Sequence, residues 1–433
     1  MKNFRTKISH YPEEIPIHLL HYSETIGALK PFLNVSRFFG VPNFSVIESA
    51  VSRGGLWSFL TLLSIFLLIN QVFLLVLRIA EGEDFVRRSG PEVIIRVHVI
   101  LVIIWSLAFS RKLSETLRVS PVIENRINKV YSGADGEFLG PWALRRKCFF
   151  WTILYILFSV GLMAMSFFLE VVTGDKSLEE GWTSYGMESC GLSSSIIPYA
   201  SVASVYCLLM ELITNFLWLF GDWLLLLVSL IMAHMFRRIN VNGIQRIEPG
   251  RLSSIEIDLV REHHGLMSKL VKDFDDAIAS LNVISVVLNT AYIILSIYSI
   301  VTLRRGERVN MGARVMKLYG KIGVAIFKML AGLISASVLH HRAHEMISEI
   351  RSWPMAREFN DFSLNNGRAA VMQAFVSQLS QGDTGLSVGK VVTITGKLMT
   401  VLALGVGVFV AFARITISSC SRGGTRTSSL SSF

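Results

Sequence analysis

Histidine supplies the first residues whose types and spacing could do chemistry. In HHRAHE, His340 and His344 stand four apart on one helix face, a separation at which two imidazoles can share a metal ion, and His263 and His264 make a second pair. Membrane di-iron hydroxylases carry such histidine boxes at the cytoplasmic ends of their spans, but in three boxes rather than two. Here His10, His18 and His21 are scattered through the N-terminal segment. There is no nucleotide-binding glycine loop, no nucleophile elbow and no HExxH motif. The expectation is therefore no enzyme: no catalytic residue, no metal site and no cofactor. A membrane histidine-box metal enzyme stays as an alternative reading.

A second group of chemically active residues consists of charges inside apolar stretches. Arg96 and His98, Glu211, Lys321 and Lys328, and Lys390 and Lys397 all interrupt hydrophobic runs. A charge at mid-bilayer costs about 3 kcal/mol on insertion scales, so each such group is expected to snorkel, to be paired or to face water. Lys390 stands near one end of its run and can snorkel, whereas Lys397 lies roughly 10 Å deeper and needs a partner or a wet face.

The elements that must position these groups are long apolar helices. The 433 residues are 52% hydrophobic and 17% charged, and the mean hydropathy is +0.51. Ordinary soluble domains are about a quarter charged, so the composition places the chain in a bilayer. Seven runs are long enough to span it: Leu56 to Ala80, Val93 to Phe109, Cys148 to Val172, Ile196 to Phe236, Leu281 to Leu303, Tyr319 to Leu339 and Val388 to Ile415. The first fifty residues carry no signal-peptide pattern, so the first span is expected to begin insertion.

Lysine and arginine in the connecting segments set the orientation. One side collects 25 of them, in 1–55, 110–147, 237–280 and 340–387, against 10 on the other. The N-terminus is expected in the cytoplasm and the C-terminus outside. The basic RRGERVNMGARVMK stretch, 304–317, is the exception on the outer side. The net charge of +10 is mostly this cytoplasmic excess, and no zinc-finger, RNP or helix-turn-helix pattern accompanies it, so nucleic acid is not an expected partner. The four cysteines form no CxxC pair; Cys190 and Cys420 would both face the oxidising side, where a disulfide between them is one possibility.

The fourth run, 196–236, is roughly 60 Å long as a helix, about twice a bilayer. Two spans folded at Gly221-Asp222 would spoil the charge asymmetry, so one long helix is preferred. Beyond it Ile255, Leu259, Leu266, Leu270, Phe274, Ile278 and Leu281 recur at helical spacing and run into the fifth span. HRAHEMISEIRSW and RAAVMQAFVSQL read as further helices between spans six and seven. The fold class is thus all-α: seven transmembrane helices, N-terminus cytoplasmic, with helical cytoplasmic extensions of spans four to seven. Its parts are a cytoplasmic segment 1–55, spans one to four in 56–236, an amphipathic helix in 237–280, spans five and six in 281–339, cytoplasmic helices in 340–387, span seven in 388–415 and an outer tail 416–433.

Three stretches carry a family likeness. FRRINVNGIQRI at 236–247, VREHHGLMSKLVKDFDDAIASLNVISVVLNTAYIILSIYSIV at 260–301 and AFVSQLSQGDTGLSVGKVVTITGKLMTVLALGVGVFVAF at 374–412 resemble the arthropod gustatory receptors, as does LKPFLNVSRFFGVPNF at 29–44. The resemblance implies a plasma-membrane receptor related to insect odorant receptors, with a small-molecule tastant as ligand. It implies a homo- or hetero-tetramer with related subunits that acts as a ligand-gated cation channel, anchored through the cytoplasmic extensions, with the last span lining the pore. The chain departs from the family's last-span motif: Thr400 fits, but Val401, Gly407 and Val408 stand where Tyr, Gln and Phe are expected. The alternative without channel activity is a G-protein-coupled receptor, which needs the opposite orientation; no Asp-Arg-Tyr follows the third span and no Asn-Pro-x-x-Tyr lies in the seventh. A transporter would show an internal repeat, and none is visible.

On a helical wheel of about 100° per residue, Lys390, Lys397, Val401, Leu404, Val408 and Ile415 fall within about 60°, beside a small-residue face of Gly396, Thr400, Ala403, Gly407 and Arg414. Lys397, Val401, Leu404 and Val408 are therefore the expected pore residues. The resemblance puts ligand among the outer halves of spans two to six, where depth selects Arg96, His98, Tyr199, Tyr206, Tyr298 and Tyr319. Tyrosines at that depth also suit an interfacial aromatic belt.

Overall fold

The structure is a computed structural model, and it describes residues 23–39, 41, 53–80, 90–131, 141–172, 181–182, 185, 200–245, 254–302, 308–352, 366–381, 384–398 and 400. Its helices are α1 (Glu24–Phe38), α2 (Arg53–Ala80), α3 (Gly90–Tyr131), α4 (Pro141–Val172), α5 (Ala200–Asn240), α6 (Ser254–Thr302), α7 (Arg308–Ser352) and α8 (Asn366–Gln381). A two-stranded antiparallel hairpin, β1 (Ser387–Val388) and β2 (Val392–Thr393), follows them. Five of the described helices, α3 to α7, are long and apolar enough to cross a membrane, and α2 adds a shorter apolar stretch, Leu62–Val76.

Helix α5 is hydrophobic all round, which suits a helix wrapped by others. It packs against α3, α4, α6 and α7, and 94% of its apolar window is buried. It runs through Gly221-Asp222 without a break, as one helix of 41 residues. Gly221 serves close approach instead of a bend: a Cβ there would lie 2.5 Å from Ser285 Oγ of α6. A Cβ on Gly332 of α7 would lie 3.2 Å from the Asp222 carbonyl. Small residues let helix backbones close up where lipid offers no hydrophobic drive.

The extensions are longer and more numerous than the hydropathy runs imply. Span two continues as one helix to Tyr131, so 110–131 is helix, with Leu113, Leu117, Ile123 and Ile127 buried one to two turns apart along α6. Hydropathy misses it because an amphipathic helix averages its apolar stripe against its charges. Similarly, α7 begins at Arg308, which makes 308–317 helix rather than loop. Helix α6 joins the amphipathic stretch to the fifth span in 49 residues. Its buried stripe holds Leu270, Phe274, Ile278 and Leu281, but it starts at Ile257 and Val260; Ile255 is 78% exposed. Leu270 and Phe274 are core residues of a single chain, so this stripe closes a bundle within the subunit.

The hairpin changes the reading of the last span. Residues 387–393 form strands and a turn, with Gly389 and Lys390 at φ 63° and 62°, and helix resumes at Gly396. Lys390 is therefore a turn residue outside the last helix and shares no helical face with Lys397. It does not snorkel: its Nζ lies 2.6 Å from Asp276 of α6.

Candidate functional site

The N-terminal ends of α3, α5 and α7 converge on a small pocket with α2 beside it. Glu92, Ile95 and Arg96 come from α3, Met210, Glu211, Thr214 and Asn215 from α5, and Lys317 and Lys321 from α7. Lys321 Nζ sits between the two carboxylates, 3.0 Å from Glu92 Oε1 and 3.8 Å from Glu211 Oε1, with only 3% of its side chain exposed. Tyr185 donates its hydroxyl to Glu211. Arg96 Nη1 donates to Gln71 Oε1 of α2 at 3.2 Å, and Gln71 Nε2 donates to Thr214 Oγ1 at 2.8 Å. Two polar chains, one through Lys321 and one through Gln71, thus tie α2, α3, α5 and α7 at this end. Asn215 stands out there: it is buried, it lines the pocket, and neither Nδ2 nor Oδ1 has a hydrogen-bond partner. The interior measures about 20 Å³ for a water-sized sphere, room for one or two waters, so a larger guest must part the helices.

About two turns further along α5 and α7 lies a second polar centre, closed to solvent. Lys328 Nζ is 3.0 Å from Asp222 Oδ2, donates to the Trp218 carbonyl at 2.6 Å and lies 4.2 Å from the centroid of the Trp218 ring. Asn289 Nδ2 of α6 donates to Asp222 Oδ2 at 3.0 Å. Asp222 of α5 and Lys328 of α7, two charges within apolar helices, are thus each other's partners, as the cost of a lone charge in lipid demands.

At the other end, α1 is held by charge. Glu124 of α3 accepts from Ser23 Oγ and from the Glu24 and Thr25 amides at 2.8 to 3.2 Å, so a carboxylate sits on the N-terminus of α1. Burial, with the neighbouring Glu24 charge adding, pushes the Glu124 carboxyl up to about 7 against those donors. Arg238 of α5 donates to Glu24 at 3.1 Å and to Asn128 Oδ1 at 2.8 Å. From there α1 runs along α5 until Phe32 stacks on Phe220 and Phe39 on Phe216.

The histidine pairs act as helix ties. His264 Nε2 meets the Ala343 carbonyl at 2.9 Å, and burial holds its pKa down to about 4, so it is neutral at physiological pH. His340 Nδ1 meets the Thr384 carbonyl at 3.1 Å, and His344 Nδ1 the His340 carbonyl at 2.8 Å. Among the described residues no group of three or more His, Cys, Asp or Glu side chains could hold a metal ion. The hairpin is tied to α6: Asp275 accepts from the Ser387 amide at 2.6 Å and its hydroxyl at 2.7 Å, and Asn282 Nδ2 donates to the Ser387 carbonyl at 2.9 Å. Lys397 and Thr400 beyond it are exposed, while Leu398 packs on the core.

Of the described residues expected from depth to hold ligand, the structure brings Arg96 alone to the pocket. His98 is fully buried, with neither ring nitrogen hydrogen-bonded. Tyr206 donates to Asn70 Oδ1 of α2 at 2.6 Å, and Tyr298 and Tyr319 are 51% and 58% exposed. The latter two suit a bilayer-facing aromatic belt. Tyr199 and the pore residues Val401, Leu404 and Val408 lie outside the described residues, as do Cys190 and Cys420; Cys207 is disulfide-bonded. Glu92, Glu211, Asn215 and Lys317 were not singled out as ligand residues. Their common signal is position: each lies in the first five turns of a helix that starts on the same side.

Comparison with known proteins follows the same lines. The family model described as "Trehalose receptor" matches residues 18–408. No curated protein matches the chain. Among solved structures, the insect olfactory receptor OR5 of Machilis hrabei superposes with a TM-score of 0.62 at 9% identity, covering 91% of this chain and 99% of that one. Its complex with eugenol gives 0.65 at 10% identity, covering 92% and 100%. At such identity the likeness is one of fold. The bundle of membrane-length helices, the olfactory-receptor architecture and a family match across most of the sequence agree: this multi-pass plasma-membrane chain belongs to the insect gustatory receptor family.

Proposed function

We propose that the protein is one subunit of a tetrameric chemosensory channel, in which a small polar molecule binds in the α2–α3–α5–α7 pocket and opens a cation path lined by the last span. The observation that carries the reading is Asn215, a buried amide with no partner facing a pocket rimmed by charges. Polar groups are normally satisfied in such interiors, and one held ready is a feature of a binding site. Helices α5, α6 and α7 run unbroken from the pocket end to the extensions. There α6 grips the hairpin that leads into the last span, so parting the helices around a ligand moves that span's base. The complex of OR5 with eugenol is a precedent for a small-molecule ligand in this fold. Lys397, exposed at the base of the last helix, with Val401, Leu404 and Val408 beyond it, forms the proposed pore face.

In this reading the N-terminus is cytoplasmic and the pocket opens outward. The lysine and arginine asymmetry supports that orientation, and so does the disulfide at Cys207 near the start of α5, since disulfides persist on the oxidising side. The test is reconstitution of the purified protein, alone and with related subunits, in planar bilayers. A cation current evoked by a bound small molecule and lost in Asn215→Leu supports the reading. Ligand binding that never gates current with any partner leaves a seven-span receptor of another signalling mode.

A further inference from the structure

We propose that the first turn of α1 is a proton-operated latch: protonation of Glu124 closes it on α3 and α5, and ionisation of Glu124 loosens it. The geometry is that of two acids in one buried corner. Glu24, 6% exposed, begins α1, and Glu124 of α3, 2% exposed, accepts from the Glu24 amide at 2.8 Å. Arg238 Nη1 of α5 donates to the Glu24 carboxylate at 3.1 Å and to Asn128 Oδ1 at 2.8 Å. Glu124 pairs with no cation among the described residues; the Ser23 hydroxyl and the Glu24 and Thr25 amides hold it. Ionising it sets a second negative charge beside the first in a buried corner, and one proton removes that charge. Other charged or titratable groups around the corner include Arg126 and Lys129 of α3, both exposed, and His234, buried one turn before Arg238 on α5. Arg145 of α4 lies against Gly27 of α1, where an added Cβ would be 2.8 Å from its Nη2. The charge that acts on Glu124 is Glu24.

The donors around Glu124 favour its ionised form, while burial and the Glu24 charge oppose it. The opposition wins and holds the carboxyl up to about 7. In the opened turn Glu124 returns to its ordinary value of 4.5, so the proton's contribution to closure is complete below pH 4.5 and is lost as pH rises through 7. Between pH 6 and pH 8 the closing constant falls about tenfold. The latch matters because α1 is a strap. Its far end stacks Phe39 on Phe216, the residue after Asn215, and Phe32 on Phe220. Loosening the first turn relaxes the strap beside the pocket wall. Resting on the reading of the pocket as the ligand site, protons on the latch side therefore modulate ligand binding.

Hydrogen exchange of the purified full-length protein in detergent, without ligand, reads the latch at pH 6 and pH 8 once the intrinsic pH dependence of exchange is divided out. Protection of the amides of residues 24–27 should fall about tenfold between the two, while that of residues 224–231 in α5 should not change. Glu124→Gln, neutral at both pH values, should give equal protection at both. Glu24→Gln, which removes the neighbouring charge, should move the transition to lower pH, and it carries the test if Glu124→Gln fails to fold. Equal protection in the parent at both pH values, or greater protection at pH 8, overturns the latch. A pH dependence that survives in Glu124→Gln assigns the proton to another group, such as His234 or the His21 that precedes Ser23 in the sequence, and also overturns it. A parallel loss of protection in α5 makes the change global and refutes a local latch, and an unmoved transition in Glu24→Gln refutes the two-acid corner. No ligand is present, so each of these failures leaves the reading of the pocket standing.

Discussion

Replacing Lys328 by methionine removes the cation from the buried centre while keeping most of the side-chain volume. In the native protein Lys328 and Asp222 are 3.0 Å apart with 0% and 3% of their side chains exposed. At an effective dielectric of about 20, unit charges at that distance attract by about 5 kcal/mol. Desolvation of both groups offsets much of this in a fold where both are present, but removing one partner leaves the other buried and uncompensated, at a cost of about 3–5 kcal/mol. Asp222 would keep Asn289 Nδ2 as a donor, and Trp218 would lose both the ammonium over its ring and the donor to its carbonyl. Lys328→Met is therefore expected to destabilise the protein by about 3–5 kcal/mol and to cut its surface yield sharply. The double variant Lys328→Met with Asp222→Leu should recover most of that loss, because an apolar pair of similar volume replaces an ion pair at little net cost. Unfolding midpoints of the two single variants and the double, read as a double-mutant cycle, give the coupling directly. A single-variant cost below about 1 kcal/mol, or simple additivity in the double, would refute the claim that these charges stabilise each other.

Gly221→Ala should destabilise by about 1–3 kcal/mol through its clash with Ser285, and combining it with Ser285→Ala should return part of that, measured by thermal unfolding. Glu124 binds its proton more tightly folded than unfolded, about 7 against 4.5, so its favourable contribution is complete below pH 4.5 and is lost as pH rises through 7. The loss should reach about 3 kcal/mol, and Glu124→Gln should flatten the stability profile between pH 5 and 8. If the N-terminus is cytoplasmic as proposed, Asn34-Val-Ser and Asn43-Phe-Ser, which both precede the first span, should remain unglycosylated when the protein is made in insect cells. A glycosidase-sensitive mass shift would reverse the orientation.

What could be read from sequence follows from which forces are local. Membrane length and hydrophobicity are properties of contiguous residues, so α5 and the spans of α3, α4, α6 and α7 are visible directly. The continuation of α3 to Tyr131 is written only in the spacing of Leu113, Leu117, Ile123 and Ile127, which a hydropathy average conceals. The hairpin escapes because its strands are two residues each and are fixed by Asp275 and Asn282, more than a hundred positions away. Pairing is invisible for the same reason: Lys328 and Asp222 each stand out as an intramembrane charge or a helix interruption, yet nothing local joins them. The pocket is the extreme case. Arg96 announces itself as a charge in an apolar run, while Asn215 is one small amide in a run of hydrophobic residues and gains meaning only once α3 and α7 lie against it.

The most direct test of the account is whether the last span lines a path that the ligand opens. Single cysteines introduced as Leu404→Cys, Val408→Cys, Ala403→Cys and Gly407→Cys, in protein reconstituted in planar bilayers, would be exposed to a small water-soluble thiol reagent during ligand application. The account predicts modification and altered cation current for Leu404→Cys and Val408→Cys, and none for Ala403→Cys and Gly407→Cys on the small-residue packing face. Equal modification of both faces, or ligand binding with no current in any variant, would contradict it.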